Sequence, residues 1–355
     1  MTDTSISKSD SDGTLIYRGY PITELTDHAT FEEVAYLVNK GTLPKRSELD
    51  AFGTALAAEA ETPQSVFEVM RKLGKNSNPI DALRTACSAL GCVDEKTELE
   101  AQQTSLEAKL AVMAANCYRV PRGEREILAS GKRGYSTDLL RMLTKQEPTE
   151  FECWVFERAL IVYMEHDLNA SSFTVRVVAS TLADPYAAAS AGLAALKGPL
   201  HGGANEAAME MILKVGKPQN VTSYLDSEFK AKRKVPGFGH RIYRRVDPRA
   251  QILKGLLKEL LRKRGDDDSL YQLCDDIEIE MKERKNLPAN LDFYAAPIFY
   301  VLGIEIPLYT PVFAASRIFG WMAHYSEQLS EKKLIRPDAT YVGPTDLKYV
   351  SLSRR

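Results

Sequence analysis

Asp247 to Gly265 reads DPRAQILKGLLKELLRKRG, and this stretch sets the fold class. Aspartate followed by proline is an N-cap with proline at the first helical position, where a missing amide does no harm. Leu253, Leu257 and Leu261 then recur every four residues beside Ile252, Leu256 and Leu260, the stripe of a helix face. Gly265 is placed to end the helix in a left-handed conformation, ahead of an acidic loop at Asp266 to Asp268. The same period recurs on either side. Val155, Ala159 and Val162 run beside Phe156, Leu160 and Tyr163, straight into Glu165-His166-Asp167. Tyr186 to Lys197 is an alanine-rich helix ended by Lys197-Gly198-Pro199, and a further helix opens at Asn290-Leu291-Asp292, after Pro288. One short strand-like stretch stands against this pattern, Gly13 to Ile22 (GTLIYRGYPI). The expectation is an all-α fold.

The chain of 355 residues is 44% hydrophobic and 26% charged, enough for one large domain or two modest ones. Its net charge of −2 supplies no basic field for nucleic acid or an anionic membrane, so any anionic ligand needs local cations. No apolar run approaches the roughly 18–20 residues that span a bilayer. The polar, acidic stretch from Met1 to Gly13 has neither the apolar core of a secretory signal nor the arginines of a transit peptide. Five cysteines without CxxC spacing indicate neither a disulfide framework nor a zinc knuckle, and the expected setting is a reducing cytoplasm. No composition shift marks a domain boundary; the polar stretch Gly216 to Lys234 is the best candidate for the edge of a subdomain.

Five histidines are present. His201 and His240 sit in glycine-bearing breaks between helices, LKGPLHGGAN and VPGFGHRIY. Glycine lets a ligand approach the main chain there, and loops between rigid helices display reactive groups. A solvated turn histidine fits either break equally well when taken alone. Gly237-x-Gly239 does not follow a strand and is no dinucleotide fingerprint. Asp247 reads as a helix cap; Arg249, in the first turn, opposes the helix dipole unless it grips a carboxylate, for which a planar guanidinium is suited. Arg317 and Arg336 are surface charges or further grips. Asp292, at a helix start, is a first-turn anion or, partly buried, a base. If the helix carrying Glu165 continues, His166, Asn169, Phe173 and Val177 share a face, with His166 either at the core edge or on a ligand. His28 and His324 read as structural or solvated. This inventory suits acid–base chemistry on a small anion without naming it.

Seven segments then stand in a recognisable order: LIYRGYPITEL, EHDLNASSFTVRV, LKGPLHGGANEAA, VPGFGHRIYRRVDPRA, NLDFYAA, SRIFGWMAHYSEQ and IRPDATYVGP. They resemble, in the same order, the citrate synthases and 2-methylcitrate synthases, over about Gly13 to Gly343. The resemblance implies an all-α, two-domain helical fold: residues 1–215 and 310–355 in a large domain, with residues 216–309 as a smaller inserted one. It implies condensation of acetyl-CoA with oxaloacetate through an enol or enolate, followed by hydrolysis of citryl-CoA, with no metal or cofactor. Asp292 then resembles the base that removes the methyl proton. His201 resembles the group that hydrogen-bonds the thioester oxygen, its ring kept neutral by amides of the next helix. His240 resembles the group that polarises the oxaloacetate ketone.

His166, Arg249, Arg317 and Arg336 resemble the oxaloacetate ligands, Arg336 reaching in from the partner of a homodimer. Lys234, Val235, Pro236, Gly237 and Phe238 resemble the lining of the CoA adenine pocket, and Arg244 a contact to a CoA phosphate. Two features depart from the family. The lead-in before YRGY is shorter than the family's, and a weaker subunit contact is the expectation. Pro297 removes a helix amide and is expected to bend the turn beneath Asp292. Arg241-Ile242-Tyr243 leans toward citrate rather than 2-methylcitrate synthase. A metal-dependent hydrolase lacks any compact ligand spacing such as HExxH, and a noncatalytic scaffold has no reason to carry the intact His201, His240 and Asp292 set.

Overall fold

The structure is a computed structural model that describes residues 3–355; Met1 and Thr2, the start of the polar leader and of the expected large domain, lie outside the described residues. A three-stranded antiparallel sheet opens the chain: β1 (Ser7–Ser9), β2 (Leu15–Tyr17) and β3 (Tyr20–Pro21), in that order. Ser7 lies opposite Tyr17 and Ser9 opposite Leu15. The stretch read as one strand, Gly13 to Ile22, is therefore a hairpin. Arg18 and Gly19 both take positive φ, 48° and 93°, and reverse the chain there. β1 was invisible in the sequence because Ser-Lys-Ser carries no apolar alternation.

Helices make up most of the remaining chain. They are α1 (Ile22–His28), α2 (Phe31–Lys40), α3 (Arg46–Glu59), α4 (Gln64–Lys72), α5 (Pro79–Val93) and α6 (Leu99–Asn116). Next come α7 (Tyr135–Thr144), α8 (Glu150–Met164), α9 (Ala170–Ala179), α10 (Pro185–Leu196) and α11 (Ala204–Val215). The last are α12 (Val221–Lys230), α13 (Pro248–Arg264), α14 (Ser269–Lys285), α15 (Leu291–Val301) and α16 (Tyr309–Glu331). Asp184, Asp247 and Asn290 cap α10, α13 and α15 through their side chains, and Gly265 ends α13 at φ 74°. The fold is all-α, as the periodicity predicts.

α16 is apolar nearly all round, and every residue from Tyr309 to Tyr325 is buried. Such a helix belongs in the middle of a core, and it packs on α2, α6, α8, α9 and α10. Its Gly320 lets α8 come close: a Cβ there would sit 2.4 Å from the Met164 carbonyl oxygen and from Glu165 Oε2. α15, apolar apart from Asp292 in its first turn, packs against α11, α13 and α8. It runs through Pro297 without a break. Its first turn is held instead by the Asn290 cap and by Leu291 N donating to Asp247 Oδ2, 3.1 Å.

One helix expectation fails. α8 stops at Met164, Glu165 is extended, Asp167 takes φ 53°, and Asn169 caps a new helix by accepting from the amides of Ser171 and Ser172. His166 therefore lies off the helix face that Phe173 and Val177 share on α9. The Asn169 side chain competes with the helix for backbone amides, and a restart is the outcome. Beyond α16 the chain from 333 to 355 is irregular apart from one short 3-10 turn and almost wholly exposed.

Candidate active site

One cavity of about 690 Å³ is lined by His166, His201, Lys234 to Ile242, Arg249, Asp292 and Arg317. These come from six separate places: the α8–α9 bend, the α10–α11 turn, the α12–α13 loop, and the helices α13, α15 and α16. A larger groove of about 910 Å³ between α3, α6 and α7 holds none of them. Convergent polar groups, and not size, mark the site.

His201 Nε2 accepts from the Ser171 amide at 3.3 Å and lies 2.8 Å from Ser171 Oγ. The amide belongs to the first turn of α9, not to the helix after His201 as expected; the restart at Asn169 is what presents it. Burial, reinforced by the Arg317 charge, pushes the imidazole down to about 4. It is neutral near pH 7, and with Nε2 as acceptor its proton sits on Nδ1.

His240 is held the opposite way. Its Nδ1 accepts from the amides of Ile242 (3.1 Å) and Tyr243 (3.2 Å), which leaves the proton on Nε2. Burial, then the Arg249 charge, brings it also to about 4. Its Nε2 lies 3.4 Å from Arg249 Nη2, so two donors converge on one spot. Gly237 and Gly239 shape this loop at φ 81° and 80°, and a Cβ on Gly237 would meet Phe293 Cβ at 2.8 Å.

Arg249 is buried, and Asp247 offsets the opposition between its charge and the helix dipole. That carboxylate accepts from Arg249 Nε (2.9 Å) and Nη2 (2.7 Å) as well as from the Arg249 amide (3.1 Å). One residue thus caps α13, fixes the guanidinium and ties down the start of α15. Arg317 is equally buried on α16; its Nε donates to the Tyr163 carbonyl at 2.8 Å and its guanidinium stacks over Phe313, 4.6 Å from the ring centre. His166 Nε2 sits 3.0 Å from Tyr243 Oη. Burial, then Arg249, His240 and Arg317, holds it well below the usual histidine range.

Asp292 is the opposite case. Its Oδ1 accepts from Tyr163 Oη at 2.9 Å, and burial raises its carboxyl to about 6 despite that bond and the two arginines. A carboxylate with that value is ionised at neutral pH yet basic enough to take a proton. Neutral imidazoles, a carboxyl raised toward neutrality and two buried guanidiniums thus share one cavity. Among the described residues no group of three His, Cys, Asp or Glu is placed to hold a metal ion.

Of the residues selected from sequence, the cavity gathers His166, His201, His240, Arg249, Asp292, Arg317 and the stretch Lys234 to Phe238. Arg244 is exposed, two residues beyond Ile242 of the lining. Arg336 lies outside the cavity, 78% exposed and 3.7 Å from Asp338. Sequence reasoning missed Tyr163, Tyr243, Ser171 and Asn205, whose Nδ2 donates to Tyr163 Oη at 3.4 Å. Tyr163 was absorbed into the apolar stripe of α8, because periodicity does not say which ring ends in a cavity. The Asn169-x-Ser171 cap was the one available signal for Ser171.

Helical architecture and site together put a carboxyl raised to about 6, two neutral imidazoles and two buried guanidiniums around one cavity, a set suited to proton transfer beside an anion. A family model described as "Citrate synthase, C-terminal domain" matches residues 1–338. Citrate synthase 2 of Bacillus subtilis is 40% identical over all of this chain and 97% of that protein. Citrate/2-methylcitrate synthase of the same species is 36% identical over 96% of this chain and 94% of that protein. The ternary complex of the Thermoplasma acidophilum citrate synthase with carboxymethyl coenzyme A and oxaloacetate superposes with a TM-score of 0.92, at 30% identity over 99% of this chain and 96% of that one. The chain belongs to the citrate synthase family, acyltransferase-type enzymes that condense acetyl-CoA with oxaloacetate.

Proposed function

We propose that this chain makes citrate, with Asp292 taking the methyl proton of acetyl-CoA while His201 donates its Nδ1 proton in a hydrogen bond to the thioester oxygen. A methyl group beside a thioester is too weak an acid for a carboxylate alone; the charge that develops on oxygen has to be met by a fixed donor. The amide hydrogen bonds accepted by His201 Nε2 and by His240 Nδ1, from which opposed tautomers follow, are the observation that carries this reading. The nucleophilic carbon attacks the ketone of oxaloacetate, whose oxygen receives a hydrogen bond and then the proton from His240 Nε2. Arg249, Arg317 and His166 bind the dicarboxylate, since guanidiniums pair with carboxylates in two-pronged fashion. Water then hydrolyses the citryl thioester. Lys234 to Phe238 line the CoA adenine pocket, and Arg244 answers a phosphate. No metal or cofactor is called for.

In this reading residues 216–309 move as a small domain against the rest and close over oxaloacetate. Closure keeps the enolate from being reprotonated by bulk water. The enzyme is a homodimer in which Arg336 completes the partner's site. The exposed tail supports this, with Tyr341, Val342, Leu347, Tyr349 and Leu352 all open to solvent in the single chain. Apolar exposure on that scale calls for a covering surface. No helix among the described residues is long and apolar enough to cross a membrane, all five cysteines are unpaired, and the net charge is −2, in keeping with a cytoplasmic enzyme that binds no nucleic acid.

The test is release of CoA thiol from acetyl-CoA and from propionyl-CoA, each with oxaloacetate. Release that requires oxaloacetate and falls about 10²–10⁴-fold in Asp292→Ala is expected; release unaffected by that change would overturn the assignment of the base. Propionyl-CoA is the second substrate to weigh, because a relative acts as a citrate/2-methylcitrate synthase. One methylene in an apolar pocket is worth only about 1–3 kcal/mol, so some turnover of both thioesters is expected, and the ratio of their kcat/KM values chooses between the two products.

A further inference from the structure

The face of the Glu165–Asp167 bend turned away from the cavity rests on the small sheet, and the contacts fall on either side of His166. Tyr17 Oη donates to the Glu165 carbonyl at 2.6 Å and accepts from the Glu165 amide at 3.2 Å. Ser7 Oγ donates to Glu165 Oε1 at 2.9 Å and accepts from the Asp167 amide at 2.8 Å. Ser9 Oγ adds a weaker contact to Asp167 Oδ2, 3.4 Å. Ser7 and Tyr17 are direct cross-strand partners, so their side chains emerge on one face of the sheet and act as a pair. Glu165 is fully buried, and the same carboxylate oxygen that meets Ser7 also meets His324 Nε2 of α16 at 3.0 Å.

The sheet is itself fastened from outside. Ser5 donates through both its amide and its hydroxyl to Glu327 Oε1 of α16, each at 2.8 Å. Glu327 in turn pairs with Arg176 of α9, whose guanidinium is fully buried. Arg18, at the hairpin turn, donates from Nη1 to Ser5 Oγ at 2.7 Å and from Nη2 to the Val38 carbonyl at 2.9 Å. The segment entering β1 is therefore tied to α16 and, through Glu327, to α9, and the hairpin turn to α2.

The bend needs such support. Asp167 is a non-glycine residue at φ 53°, a conformation that persists only where surrounding contacts over-determine it. His166 is the one residue between two held peptides, and its ring is hydrogen-bonded with Tyr243 Oη and packs edge-on against His240. We propose that Ser7, together with Tyr17, is a positioning residue for His166: the N-terminal hairpin clamps the peptides on both sides of it and so sets the imidazole against oxaloacetate. This rests on the assignment of His166 to oxaloacetate. The polar leader, which carries no catalytic motif, thus becomes part of the scaffold of the site.

The test compares Ser7→Ala, Ser7→Thr, Tyr17→Phe and His166→Gln in the full chain, by steady-state kinetics with both substrates and by thermal shift with oxaloacetate alone. His166→Gln is expected to raise KM for oxaloacetate. Ser7→Ala and Tyr17→Phe are expected to raise it about tenfold, the loss of one or two net hydrogen bonds, while KM for acetyl-CoA at saturating oxaloacetate stays within about twofold. Ser7→Thr keeps a hydroxyl and should recover most of the affinity. Two results would overturn the clamp while leaving the assignment of His166 intact: an unchanged oxaloacetate KM in Ser7→Ala beside a raised one in His166→Gln, or equal losses in both KM values and in thermal stability with no rescue by threonine. An unchanged oxaloacetate KM in His166→Gln would remove the assignment and the clamp together.

Discussion

Tyr163→Phe removes one hydroxyl and tests how the base is tuned. Tyr163 Oη donates to Asp292 Oδ1 at 2.9 Å, and that bond is the largest influence holding the carboxyl down against burial. A hydrogen bond to a charged group contributes about 1.5–3 kcal/mol. At about 1.4 kcal/mol per pH unit, its loss raises Asp292 from about 6 to about 7–8. The base works only when ionised, so the acidic limb of kcat/KM moves up by the same one to two units. At pH 7 the ionised fraction falls from about nine-tenths to between about one-half and one-tenth, a two- to tenfold loss that recovers above about pH 9. Arg317 grips the Tyr163 carbonyl and not its ring oxygen, so oxaloacetate KM should hold within about twofold. The assay is thiol release from acetyl-CoA between about pH 5 and 10. A limb that stays in place while activity drops at every pH would refute the tuning and leave the phenol a packing role.

Asp292→Asn should abolish activity yet stabilise the fold. Its folded value lies above the unfolded one, so the ionised carboxylate costs stability as pH rises through about 4 to 6, at most about 3 kcal/mol; the variant's denaturation midpoint should exceed the wild type's near pH 8 and match it near pH 4. His201 and His240 have depressed values, so stability is full above the unfolded value near 6.5 and is lost as pH falls toward about 4; urea denaturation of His240→Gln should show a shallower acid loss than the wild type. Gly320→Ala would place a methyl 2.4 Å from the Met164 carbonyl oxygen, and overpacking of that kind should cost about 3 kcal/mol or prevent folding, read by calorimetry. Hybrid dimers formed by mixing Arg336→Ala with Asp292→Ala should regain activity, because one of their two sites has both residues intact; no recovery would mean that Arg336 does not act across subunits.

Much of the architecture was legible in the chain itself. Helix starts at Asp247-Pro248 and Asn290, and the stop at Gly265, are local chemistry: a side chain capping its own backbone needs no distant partner. The order of motifs named the family, and residue identities alone singled out His201, His240, Asp292, Arg249 and Arg317. The errors fell where local signals compete. At Glu165 to Asn169 the apolar stripe argued for continuation and the asparagine cap for a break, and the cap prevailed because Asp167 could be held at a positive φ by contacts from residues about 160 positions away in sequence.

Tertiary structure decided what the residues become. The sequence places an acid at 292 and imidazoles at 201 and 240; burial raises the first to about 6 and keeps the others uncharged. It shows histidines, but which nitrogen carries the proton depends on the Ser171 amide in one case and on the Ile242 and Tyr243 amides in the other. Asp247 reads as a cap; only the packing of α13 against α15 lets the same carboxylate hold Arg249 and the start of α15. Nor does any pattern in Ser-Lys-Ser announce that Ser7 will reach the bend beside His166. Capping and periodicity are interactions within a few residues, so they are written in order along the chain. Desolvation, tautomer choice and second-hand support depend on which distant groups share a volume, and that is set only when the helices pack.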